Sequence, residues 1–232
     1  MDEAGVDRAV TFGFSWADKG LLRSNNDYVI DAARRHPDRL IGFACITPLD
    51  TAFAVQEIDR CAGLGLRGLG ELMPDAQHYR LDDVQRMGPV VEAAMHHRLL
   101  LLTHTSESLG HSYPGKGQTT PDQVIRLAQL FPAARLVCAH WGGGLPFYEL
   151  MPELMITLGN VYYDTAASPY LYRDRVFRLA LDLMPHKILW ATDFPLVSQQ
   201  HALNRLGWSR LSTEEYDRLV GGNAQQLLAD AV

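Results

Sequence analysis

The chain is poor in the features that mark several large functional classes. It has only three cysteines, Cys45, Cys61 and Cys138, with no CxxC spacing among them. An odd number cannot all pair, so neither a disulfide scaffold nor a structural zinc knuckle is expected, and the thiols read as small core residues. Positive charge is also scarce: 21 Lys and Arg stand against 27 Asp and Glu, a net charge of -6. That balance argues against a nucleic-acid partner, whose phosphate backbone selects basic surfaces. No long apolar run is present. The longest unbroken aliphatic stretch, Leu99 to Leu102, falls far short of the ~20 residues of a membrane helix, so no membrane partner is expected. The N-terminus reads Met1-Asp2-Glu3, acidic where a secretory leader is positive, and the expected setting is the reduced cytoplasm. Disorder is excluded by 47% hydrophobic and 21% charged residues. A chain of 232 residues buries roughly 70% of its unfolded surface as one compact unit.

What is present is a regular alternation of two periodicities. Strand-like apolar runs cover Val6 to Phe14, Leu40 to Ile46, Leu66 to Glu71, Leu99 to His104, Arg135 to His140, Val161 to Thr165 and Lys187 to Ala191. Between them lie stretches with helical spacing: Asn25 to Arg35, Thr51 to Ala62, Val84 to Met95, the segment after Thr120, Leu145 to Leu158 and Arg173 to Met184. Thr120, Pro121 and Gln123 predict a capping box, and Ser212 with Glu215 predicts another. Strand and helix alternate about seven times, which implies parallel pairing, because each helix returns the chain across the sheet. No glycine-rich phosphate fingerprint follows the first strand. Polar residues instead gather at strand C-termini, the positions that converge on one mouth in a (β/α) barrel.

Four such residues could do chemistry. Glu71, His104, His140 and Asp193 each stand at or just past the end of a strand. Singly, a histidine there is commonly a hydrogen-bonded structural residue and an Asp before Phe194-Pro195 a turn former. Together, imidazole and carboxylate groups from different strands can surround one divalent ion and leave a position open for water or substrate. The loop from Thr105 to Thr119 is long for its place and carries Glu107, His111, Tyr113 and Lys116. It is read as a lid in which Lys116 or His111 meets an anionic substrate, or else as a solvated loop. Gly142 to Gly144 is read as opening a helix whose amides could hold a carboxylate.

At His140-Trp141-Gly142-Gly143 and Thr192-Asp193-Phe194-Pro195, with His104 behind them, the sequence resembles the amidohydrolase superfamily. The branch is the amidohydrolase-related proteins that include aminocarboxymuconate-semialdehyde and γ-resorcylate decarboxylases. The resemblance runs from Ala4-Gly5-Val6-Asp7 to Gly222-Asn223-Ala224. It implies an α/β fold, a (β/α)8 TIM barrel, over a single domain of residues 1–232. It also implies a divalent metal, zinc or manganese, at the barrel mouth. His104 would be a ligand, Asp193 a ligand or catalytic base, and His140 a ligand or the group that polarises the substrate. Glu71 stands near the place of the carboxylated lysine of other branches and would ligate or orient. Trp141, His111, Tyr113 and Lys116 would line the substrate. The family's first strand ends in a His-x-His pair that this chain lacks. Strand starts recur roughly every 30 residues, so the chain is read as N-terminally truncated to about seven strands.

The activity implied first is hydrolysis of an amide, ester or lactone of a small molecule. Decarboxylation of a carboxylate-bearing one is the alternative, and a non-catalytic fragment or binding module is the reading from another class. A homodimer is the oligomer the resemblance suggests.

Overall fold

The computed structural model describes residues 1–230, apart from the side chain of Trp208, so the last two residues of the expected 1–232 domain lie outside the described residues. Seven strands form one parallel sheet in chain order: β1 (Ala9–Thr11), β2 (Leu40–Ala44), β3 (Gly68–Leu72), β4 (Leu100–Thr103), β5 (Leu136–Cys138), β6 (Val161–Asp164) and β7 (Ile188–Leu189). Each strand falls on an expected apolar run, β3 ending one residue beyond the expected Glu71. The sheet curls into an open (β/α) barrel whose outer strands, β1 and β7, each pair on one side only among the described residues. Val10 and Phe12 at the β1 edge are more than a third exposed, whereas β4 is buried throughout.

The helices are α1 (Lys19–Arg35), α2 (Thr51–Gly63), α3 (Pro74–Gln77), α4 (Val84–His96), α5 (Pro121–Leu130), α6 (Pro152–Thr157), α7 (Ser168–Leu171), α8 (Arg175–Leu183), α9 (Gln199–Leu206), α10 (Thr213–Asp217) and α11 (Asn223–Ala229). α1 begins before the expected Asn25, because Asp18 accepts a hydrogen bond from the Leu21 amide (2.8 Å) and caps it there. The Ser212–Glu215 capping box forms. The Thr120–Gln123 box does not. The Thr120 hydroxyl turns to the Asp122 carboxylate, and the Gln123 amide accepts from Leu81 N (3.1 Å) and donates to Gln118 O (2.6 Å). The helix expected over Leu145 to Leu158 is instead a 3-10 segment, His140–Leu150, followed by the short α6, with Pro146 and Pro152 interrupting the α pattern.

Two apolar layers follow from strand alternation. Leu101, Leu136, Cys138, Tyr163 and Ile188 face the helices and pack with Ile58, Val91, Leu127 and Phe177. Leu100, Leu102, Val137, Ala139 and Leu189 face inward with Phe43, and Leu227 of α11 joins them. Each such side chain contributes about 1.5–3 kcal/mol when fully buried. Arg67, just before β3, donates to the Leu228 carbonyl (3.4 Å), which ties α11 to the end of the barrel where the strands begin. The opposite end, where they finish, stays open to polar groups. The cysteines are all free and buried. Polar cohesion of the helical layer centres on Glu57 of α2, whose fully buried carboxylate accepts from Arg23, Asn26 and Arg60 at 2.6–3.0 Å. Among the described residues no helix is long and apolar enough to cross a membrane.

Candidate metal centre

Glu71 reaches the barrel interior through an irregularity in β3. Leu69 pairs with Leu101 and Leu72 with Thr103, so Gly70 and Glu71 together oppose Leu102. Regular alternation from Leu69, which faces the helices, would turn Glu71 to the helices as well. The extra residue reverses the phase and turns it inward. Gly70 makes this close approach feasible: it has φ 141°, and a Cβ there would lie 2.5 Å from Leu102 O. The hydroxyl of Ser15, in the loop after β1, donates to the Glu71 carbonyl.

His104 and His140 converge on the Glu71 carboxylate. His104 Nδ1 lies 3.0 Å and His140 Nε2 3.7 Å from Oε1, and the two rings are 4.8 Å apart. The outer nitrogen of each ring meets a backbone carbonyl, His104 Nε2 with Gly115 O (3.1 Å) and His140 Nδ1 with Ala166 O (3.3 Å). A carbonyl only accepts, so those outer nitrogens carry protons and the inner pair faces the carboxylate. Metal-binding histidines are commonly held this way, the outer N–H anchored and the inner lone pair free to ligate. Donor atoms of Glu71, His104 and His140 all lie within 4.8 Å of one another. Two imidazoles and one carboxylate fit a divalent cation and leave coordination positions open for water or substrate.

The electrostatics agree. Burial alone would raise the Glu71 pKa, but the hydrogen bond from His104 and the nearby charge of His140 hold it down to about 2. Burial would likewise lower His140, and Glu71 outweighs it, raising the ring to about 9. Positive charge on His140 is therefore favoured beside the Glu71 carboxylate, and a bound cation would take the place of that proton.

The expected residues fall into four groups. Glu71, His104 and His140 are brought together. Asp193 stands outside that cluster at the mouth, at φ 64°; desolvation raises its pKa, while His140 and His104 act on it in the opposite sense. The loop residues lie over the β4 end: Tyr113 donates to Glu107 (2.8 Å), and Lys116 donates to the carbonyls of Leu109 (2.6 Å) and His111 (3.1 Å). His111 stacks at 5.5 Å from the Tyr113 ring. Trp141, expected beside a substrate, is fully buried among the helices. Its indole donates to Ser168 Oγ (2.7 Å) and its ring lies edge-on to Phe177. The cause is the backbone. His140, Trp141 and Gly142 to Gly144 run through five consecutive left-handed residues, which swing Trp141 out while His140 stays in. The glycines thus make a left-handed turn rather than the expected helix start, and a Cβ on Gly143 would lie 2.4 Å from Ser106 O.

Asp164 escaped the sequence reading. It ends β6, is buried, and accepts from the amides of His140 (3.0 Å) and Ala166 (2.9 Å). Burial raises its pKa to about 6 against the pull of His140. Its strand-terminal position was the available signal, obscured because Thr165 extends the apparent strand.

The chain is 22% identical over 245 residues to γ-resorcylate decarboxylase of a Polaromonas species, covering 88% of this chain and 75% of that protein. Its fold matches 5-carboxyvanillate decarboxylase of Sphingomonas paucimobilis with a TM-score of 0.78 at 22% identity, over 99% of this chain and 81% of that one. It also matches the Novosphingobium aromaticivorans 5-carboxyvanillate decarboxylase with a TM-score of 0.79 at 19% identity, over 99% and 78% of the two chains. That last structure holds manganese and 4-hydroxy-3-methoxy-5-nitrobenzoic acid. The amidohydrolase family model matches residues 1–229, and the chain belongs to that family.

Proposed function

We propose that the protein is a metal-dependent decarboxylase acting on a small aromatic acid whose carboxylate neighbours a hydroxyl group. The observation that carries this reading is the Glu71–His104–His140 cluster at the strand ends, in a chain whose named relatives are decarboxylases of such acids. Hydrolysis, the first activity implied by the family resemblance, would draw on the same groups, and the relatives move the weight to decarboxylation. An inert fragment does not account for two histidines whose outer nitrogens are anchored and whose inner ones converge on a carboxylate.

When bound, a divalent cation supplies an electrophilic anchor for the substrate's carboxylate and its neighbouring oxygen. Manganese, held by a related enzyme, is the first choice and zinc the second. Glu71, His104 and His140 would hold that cation. Asp193, desolvated beside the cluster so that its pKa is raised, gives its proton to the ring carbon that bears the carboxylate. The carbon–carbon bond then breaks, its electrons return to the ring and CO2 leaves. His111, Tyr113 and Lys116 border the substrate from the loop side.

The test is CO2 release from 2,6-dihydroxybenzoate and 5-carboxyvanillate by the manganese-loaded protein, run beside a panel of esters and lactones. Release of CO2 that a chelator abolishes and Asp193→Asn lowers by 100-fold or more supports the reading. Metal-dependent turnover of the esters or lactones alone would replace decarboxylation with hydrolysis.

A further inference from the structure

The β3 connection approaches His104 from two directions. Glu71 faces its inner nitrogen directly. Four residues on, at the start of α3, Asp75 grips the far arm of the loop that covers its outer nitrogen. One Asp75 oxygen accepts from Gln118 N (2.8 Å), and the other accepts from Thr119 N (3.2 Å) and Thr119 Oγ1 (2.9 Å). The same arm is tied inward by Gly117 N to Ser106 Oγ (2.9 Å) and by Ser106 N to Thr119 O (2.9 Å). These bonds hold Gly115, two residues before Gly117, with its carbonyl 3.1 Å from His104 Nε2. Ser106 Oγ stands 3.3 Å from the same nitrogen.

We propose that Asp75 is a positioning residue of the metal centre: by pinning residues 117–119 it sets the Gly115 carbonyl that anchors His104 Nε2 and keeps its Nδ1 turned toward the cation. The inference rests on reading Glu71, His104 and His140 as that centre. Its physical basis is ring orientation. An unanchored imidazole rotates about its side-chain bonds; a fixed acceptor at the outer nitrogen removes that freedom before the cation arrives. Asp75 touches neither the cation nor the substrate. Its influence passes through about 40 residues of intervening sequence but only one loop in space.

The experiment is a Mn2+ titration of the full chain and of Asp75→Ala, Asp75→Asn and Asp31→Ala, the last removing an exposed partner of Arg35 remote from the site. It is accompanied by 15N NMR of histidine-labelled, metal-free protein, which reads the hydrogen bonding of the His104 ring nitrogens without any metal. Asp75→Ala is expected to weaken Mn2+ binding about 10-fold or more and to move the His104 Nε2 shift as its bond to Gly115 O loosens. Asp75→Asn, which keeps one acceptor oxygen, should fall between, and Asp31→Ala should match the wild type. Wild-type affinity in Asp75→Ala, or unchanged His104 shifts, overturns the inference alone. Failure of the wild-type chain to bind Mn2+ overturns the metal reading and this inference with it.

Discussion

His104 Nδ1 lies 3.0 Å from Glu71 Oε1, on a strand pair whose register slips by one residue to bring them together. The slip depends on Gly70. Gly70→Ala adds a methyl 2.5 Å from Leu102 O at φ 141°, which backbone cannot absorb without moving. A loss of about 2–4 kcal/mol in a urea melt is expected from overpacking and backbone strain together. Mn2+ affinity should fall with it although no ligand has changed; a stability loss with full affinity would separate the irregularity from the site.

Glu57 makes stability sensitive to acid. Burial would raise its carboxyl, but the bonds from Arg60, Asn26 and Arg23 outweigh that and hold it at about 2, below its ordinary 4.5. A depressed folded-state value means the stabilisation is complete above pH 4.5 and drains away as the pH falls toward 2. At neutral pH it amounts to about 3 kcal/mol. Unfolding curves recorded between pH 7 and pH 3 should show the decline in the wild type and a flatter profile in Glu57→Gln, which is less stable at pH 7.

Trp141 is predicted to act on the fold. Trp141→Phe removes the hydrogen bond to Ser168 and leaves a gap beside Phe177, and about 1–3 kcal/mol of stability should be lost. A substrate contact would show the opposite pattern, a raised KM with the melt unchanged.

These cases show which parts of the molecule are readable from residue order. The seven strands and their parallel order were legible because apolar runs of the buried-strand kind alternate with helical stripes. His104 and His140 were legible because each closes such a run. Glu71 was singled out as a strand-end residue, but its inward direction was not derivable: simple alternation from Leu69 points it outward, and only the pairing register reveals the slip. Trp141 misled because left-handed backbone at two non-glycine residues has no strong sequence signal. The link from Asp75 to His104 joins segments about 30 to 40 residues apart and ends on backbone groups, the Gln118 and Thr119 amides and the Gly115 carbonyl, which any residue would supply.

The central claim, that Glu71, His104 and His140 form a working metal centre, is tested most directly by Mn2+ binding to the purified chain and to Glu71→Gln. The wild type should hold near-stoichiometric metal after dialysis. Glu71→Gln, which keeps the shape and removes the charge that both histidines face, should lose about 100-fold or more in affinity with little change in the far-ultraviolet spectrum. A wild-type chain that binds no metal, or a Glu71→Gln variant that binds it equally well, would contradict the account.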